Sequence, residues 1–118
     1  KLRELSYDTA TDYTVEGNLV GHIVIGVGML QEAVREQAGL PAELVTELEH
    51  LILSHHGAQE LGSPVVPKTV EAFLLSAVDD LDAMLYQVRQ HLDEDDSPGR
   101  FTSMHRRLDR SLFKPPVS

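Results

Sequence analysis

Pro41-Ala42-Glu43-Leu44-Val45-Thr46-Glu47-Leu48-Glu49-His50-Leu51-Ile52-Leu53-Ser54-His55-His56-Gly57 reads as one helix with a defined end at each side. Gly39, Leu40 and Pro41 form a stop followed by a start, with proline at the first turn, where no helical hydrogen bond needs its missing N–H. Leu44, Leu48, Leu51 and His55 recur at helical spacing, so His55 belongs to the apolar stripe and not to the opposite face. Adjacent residues on a helix stand about 100° apart, so His55 and His56 can turn the same way only where the helix ends. Gly57 is well placed to end it as a C-cap.

The same periodicity continues outward. Thr14, with Glu16 and Asn18, is expected to open a long helix running to about Ala38, with Leu19, Ile23, Val27, Leu30 and Val34 at helical spacing. Another begins near Pro67-Lys68-Thr69 and carries Phe73, Ala77, Leu81, Met84, Leu85 and Val88. It should end near His91, because the run Asp93-Glu94-Asp95-Asp96 sits at the negative end of the helix dipole; that run reads as a solvated terminus. Ser97-Pro98-Gly99 is a turn, and Phe101, Met104, Leu108 and Leu112 suggest a last short helix. Residues 1–6 look like a helix end and residues 8–12 like a loop. Strand alternation of useful length is absent, as are repeats. The expected class is all-α, a helical bundle.

A chain of 118 residues suits one domain. It has no apolar run of about 18 residues, so no membrane partner is expected. No apolar signal segment follows Lys1-Leu2-Arg3-Glu4, which points to a cytoplasmic location. The absence of cysteine removes disulfides, thiolate metal sites and cysteine nucleophiles. A formal charge of −9 speaks against a general nucleic-acid binder. The charge is uneven, however. Arg100, Arg106, Arg107, Arg110 and Lys114 make a basic tail over residues 100–118 that suits a phosphate backbone, or simply a solvated surface.

Chemistry concentrates at three places. His22 lies in Gly21-His22-Ile23-Val24-Ile25-Gly26, His55 and His56 close the helix quoted above, and Asp79 lies in Val78-Asp79-Asp80-Leu81-Asp82-Ala83. Glycine inside a helix costs roughly 1 kcal/mol relative to alanine, so Gly17, Gly21, Gly26 and Gly28 call for a close neighbour or ligand. Asp79 has Leu75 and Ala83 one turn away on either side, and a carboxylate on an apolar stripe is costly unless it meets a cation. Asp82, one turn from Asp79, suits the role of orienting a ligand imidazole. Singly, His22 reads as a core histidine, and the doublet stands evenly between a pair of metal ligands and one buried with one exposed residue. Together, His22, His55, His56 and Asp79 read as a site for a divalent ion, with manganese, magnesium, iron, nickel or cobalt suited to imidazole and carboxylate. With no Gly-x-Ser-x-Gly, no cysteine and no His-Glu-x-x-His, metal-activated water is the expected nucleophile. His50, His91 and His105 stand in charged surroundings and read as surface residues.

Gly-His-Ile-Val-Ile-Gly, Leu-Ser-His-His-Gly, Gly-Ser-Pro-Val-Val-Pro-Lys-Thr and Val-Asp-Asp-Leu-Asp-Ala resemble segments of the HD-domain metal-dependent phosphohydrolases, and within them the YhaM-type 3′–5′ exoribonucleases. The likeness covers nearly the whole chain, including the Leu-Asp-Arg-Ser-Leu-Phe-Lys-Pro-Pro tail. It implies an HD-like helical bundle in which His22, His55 and His56 match the later ligands and Asp79 the terminal aspartate. The family's His-Asp dyad has no counterpart here. Lys1 resembles the lysine just after that dyad, with a role at a substrate phosphate. The resemblance therefore implies a partial HD domain, incomplete at its N-terminal side, without the family's N-terminal OB-type domain. The expected activity is metal-dependent hydrolysis of RNA from the 3′ end by the full-length protein, with the 118-residue chain itself weakly active or inactive. Two alternatives stand beside it: hydrolysis of nucleotides or cyclic nucleotides, and a non-enzymatic helical dimerisation or interaction module. The expected partners are RNA or another phosphodiester substrate, with a homo-oligomer left open.

Overall fold

The computed structural model describes residues 4–6 and 12–116. It is helical, and it divides into two units, Lys1–Ala77 and Val78–Ser118. Among the described residues no helix is long and apolar enough to cross a membrane.

The first unit opens with β1 (Leu5–Ser6) paired antiparallel to β2 (Asp12–Tyr13), Leu5 opposite Tyr13. The helix end expected over residues 1–6 is thus replaced by extended chain at Leu5–Ser6; Lys1 lies outside the described residues, as do residues 7–11. Thr14 then caps α1 (Val15–Val20), its hydroxyl accepting from the Gly17 amide at 2.9 Å.

The single long helix expected from Thr14 to Ala38 is broken. Gly21 has φ +80°, and the chain resumes as α2 (His22–Glu36). A residue with a β-carbon disfavours that backbone conformation, so glycine supports the break at this position. The break makes His22 the first residue of α2 and not a mid-helix residue. Helix α3 (Ala42–Ser54) follows Pro41 with the boundaries expected of it. It packs on α2, where a β-carbon on Gly26 would come within 3.3 Å of Ile52 Cγ2. Close helix approach therefore accounts for this glycine, whereas a β-carbon on Gly28 would meet nothing within 4 Å.

A 3₁₀ turn (Gln59–Leu61) leads towards α4 (Val70–Glu94), whose first turn is capped by Thr69 Oγ1 accepting from the Ala72 amide at 3.1 Å. His50, expected on the surface, is half-buried, and its Nε2 accepts from the Lys68 amide at 3.0 Å, tying α3 to the approach of α4. The buried apolar core comprises Ile25 and Ala72, while the α4 stripe is largely open: Phe73 is 63% exposed, Leu81 53% and Met84 51%. The periodic stripe is present on the helix, and on it Val88 is half-buried.

In the second unit α4 runs to Glu94, past the end expected near His91. The acidic run is not simply a solvated terminus. Asp95 is paired with Lys114 Nζ at 2.6 Å, with its side chain 2% exposed. Its Oδ1 accepts from the amide and hydroxyl of Ser103, and Oδ2 from the Ser97 hydroxyl. Lys114 first, then Ser97 and Ser103, hold this carboxyl far below the ordinary carboxylate range. The last short helix is also absent. Bridges Phe101↔Phe113 and His105↔Arg110 fold residues 100–114 into an antiparallel loop, with Asp109 turning at φ 52°. The spacing of Phe101, Met104, Leu108 and Leu112 imitates a helix, but the Asp95 anchor and the bridges satisfy this backbone in another way. His91 and His105, expected at the surface, are half-buried: His91 Nε2 meets the Ser103 carbonyl at 2.8 Å and His105 Nδ1 accepts from the Leu108 amide at 3.1 Å.

Candidate metal centre

Two helix ends and one turn assemble the site in the first unit. The break at Gly21 sets His22 at the start of α2, and the end of α3 delivers His55 as its C-cap, with His56 beyond it. Gly57, at φ +81°, turns the chain there, and its amide returns to the Ser54 carbonyl at 2.9 Å. The helix ending therefore lets two adjacent imidazoles serve one cluster. Each of the three histidines offers a ring nitrogen within 4.8 Å of the others, and all three are half-buried. His22 Nε2 and His56 Nε2 are 2.9 Å apart.

The outward nitrogens are held. His55 Nδ1 meets the Ile52 carbonyl at 2.5 Å; the carbonyl can only accept, so this nitrogen carries the proton and Nε2 keeps a lone pair. His22 Nδ1 stands 3.3 Å from Glu4 Oε1, the carboxylate–imidazole arrangement that fixes ring orientation in metal sites. A cation taking both Nε2 atoms would replace the close His22–His56 contact, each ring then offering a lone pair.

Sequence pattern alone does not single out Glu4. It is 5% exposed, and its Oε2 is buried without a hydrogen-bond partner among the described residues. Its backbone is locked as well, its carbonyl accepting from the Thr14 amide at 2.8 Å. A β-carbon on Gly17 would fall 2.1 Å from that same carbonyl oxygen, so glycine at this point of α1 is what admits Glu4. Gly17 was the available signal, since a glycine inside a helix announces close approach without naming what approaches.

A divalent cation fits this donor set. Three imidazoles without thiolate suit borderline ions, and among the described residues the buried Glu4 carboxylate keeps one oxygen without a hydrogen-bond partner, which a cation beside the imidazoles would help to stabilise. A cleft of about 330 Å³ adjoins the cluster, lined by Val20, Gly21, His22, His56, Leu61 and Pro64 among others. That volume lies within the range of small-ligand sites.

Of the residues singled out from sequence, the structure brings together His22, His55 and His56. Asp79 and Asp82 lie on α4 in the second unit, and both are exposed. The stripe beside Asp79 is open, its neighbour Leu75 being 41% exposed.

No family model matches the chain, and no solved structure does. Curated proteins do match over 98% of its length: it is 47% identical to the 3′-5′ exoribonuclease YhaM of Bacillus velezensis, and 46% identical to the protein of that name from Bacillus subtilis. The Bacillus pumilus protein of the same name is 44% identical. The chain spans about a third (36%) of the length of these relatives, all of them named as enzymes that degrade RNA from the 3′ end.

Proposed function

We propose that this chain is the metal-holding part of a 3′–5′ exoribonuclease, and that His22, His55 and His56 are ligands of its divalent ion. The observation that carries the proposal is the convergence of three imidazoles within 4.8 Å, two of them tethered through Nδ1 to Glu4 and Ile52. The name shared by relatives near 45% identity supplies the substrate class. The activity is assigned to the full-length protein.

A divalent ion supplies Lewis acidity towards a phosphoryl oxygen and acidifies water near neutral pH. The residues of the chain do the rest. Glu4 holds the His22 ring and offsets positive charge at the site. Ile52 holds His55 in the tautomer whose Nε2 is free to coordinate. Val20, Leu61 and Pro64 form the apolar part of the adjoining cleft.

A labelled oligoribonucleotide incubated with the full-length protein and manganese should shorten stepwise from its 3′ end, releasing nucleoside 5′-monophosphates. His55→Ala and His56→Ala should each lower that rate at least a hundredfold and lower the bound metal. Unchanged metal content and rate in both variants would overturn the assignment. Hydrolysis of free or cyclic nucleotides with no ladder would leave the metal site standing and replace the substrate class.

A further inference from the structure

In the second unit, α4 and the 100–114 loop line a cleft of about 580 Å³ whose wall includes Asp82, Tyr86, Gln87, Arg89, Gln90 and Arg107. Tyr86, Arg89 and Gln90 stand three and four residues apart and so share one face of α4. Arg107 enters from the loop. Arg89 and Arg107 are exposed, and neither makes an ion pair or hydrogen bond among the described residues. Tyr86 is 66% exposed, leaving its ring available to a ligand.

The surroundings of Arg107 extend this character. From Gly99 onward the chain carries Arg100, Arg106, Arg107, Arg110 and Lys114 against Asp109 alone, in a protein whose formal charge is −9. Lys114 is committed to Asp95, while Arg106 is exposed. Phe101 and Phe113 meet edge to face at 5.6 Å, both more than half exposed, with the Arg100 guanidinium 5.0 Å over Phe113. Cations interleaved with open aromatic rings are the pattern that binds single-stranded nucleic acid, where phosphates meet guanidinium groups and bases stack on rings.

We propose that this cleft binds a segment of single-stranded RNA. Arg89 and Arg107 take the phosphates, Tyr86 stacks with a base, and the amides of Gln87 and Gln90 reach base edges or ribose. Asp82 accepts from a ribose 2′-hydroxyl, the group that separates RNA from DNA. The proposal rests on the exoribonuclease reading, in that an enzyme shortening a strand stepwise must grip the strand as well as cut it.

The test uses the full-length protein with a chelator, so that nothing is cut, and the anisotropy of a labelled single-stranded oligoribonucleotide of about 12 nucleotides. The double variant R89Q/R107Q should bind at least tenfold more weakly at low salt. Its log affinity should fall less steeply with log salt, by about 0.7 for each phosphate contact removed. Y86A should weaken binding about tenfold with the salt slope kept. R89K/R107K should retain the slope, and thermal melting confirms that each variant folds. Wild-type affinity and slope in R89Q/R107Q overturn the cleft, whether or not the wild-type protein degrades RNA. Degradation by wild-type protein once metal is restored reports on the exoribonuclease reading separately: loss of that activity with the binding pattern intact removes the nuclease and keeps the cleft.

Discussion

Glu4 Oε1 lies 3.3 Å from His22 Nδ1, and the other oxygen of the same carboxylate is buried without a hydrogen-bond partner among the described residues. One nitrogen of the candidate metal ligand thereby faces a carboxylate that would offset the charge of a bound cation. Removing the carboxylate should free the ring and remove a favourable charge next to the ion. Glu4→Gln is expected to weaken manganese binding by about 10- to 100-fold, the usual effect of losing an outer partner of a ligand imidazole. Titration calorimetry on the full-length protein reads this directly, and wild-type affinity in the variant would remove Glu4 from the site.

Gly17 and Gly28 should respond to alanine in opposite directions. A β-carbon at Gly17 falls 2.1 Å from the Glu4 carbonyl oxygen, so backbone must move, whereas at Gly28 it meets nothing within 4 Å. Gly17→Ala should destabilise by about 2–4 kcal/mol, in the range of severe overpacking, and weaken metal binding with it. Gly28→Ala should stabilise by about 0.5–1 kcal/mol through helix propensity. Urea unfolding of the two variants settles the pair; equal and small shifts would mean that Glu4 does not sit against α1.

Acid should loosen the 100–114 loop through Asp95. Its carboxyl is held far below the ordinary range by Lys114, Ser97 and Ser103. A group with a depressed folded pKa contributes stability that is fully present above its unfolded pKa, about 4, and is lost as pH falls below that. Protection of the Ser103 and Thr102 amides from hydrogen exchange should therefore decline below about pH 4 and be flat above it. Asp95→Asn should lack this decline and show lower protection at pH 7. A wild-type profile in the variant would show that the carboxylate does not anchor the loop.

His50 joins α3 to the approach of α4 by accepting from the Lys68 amide. His50→Ala should cost about 0.5–1.5 kcal/mol, the net value of one such hydrogen bond. Glutamine, whose side-chain oxygen can accept the same N–H, should recover part of that loss. Identical stabilities for alanine and glutamine at position 50 would count against the bond.

How far the site was legible in sequence depends on the range of the interaction. His55 and His56 could be placed because a stripe ending in glycine is a local pattern, and α3 has the boundaries that pattern implies. Glu4 could not, because nothing local to Leu2-Arg3-Glu4-Leu5 records that a glycine in α1 will admit it next to His22. The opposite failure occurred over residues 101–112, where apolar residues at helical spacing fold as a bridged loop instead. Spacing reports a face only if the backbone is helical, and Asp95 and Lys114, nineteen positions apart, decide that it is not.

The sequence alone determined the helical class and the exclusion of thiolate chemistry, and it marked His22, His55, His56 and Asp79 as candidate ligands, because periodicity and residue type are carried within a few neighbouring positions. Only the tertiary structure decided that Gly21 divides a helix to put His22 at its start, that a buried carboxylate stands behind that histidine, and that Arg107 meets the α4 face bearing Arg89. Each of these rests on groups brought together across a break or a long separation, where a steric contact or an unpaired charge selects the geometry and no local pattern announces it.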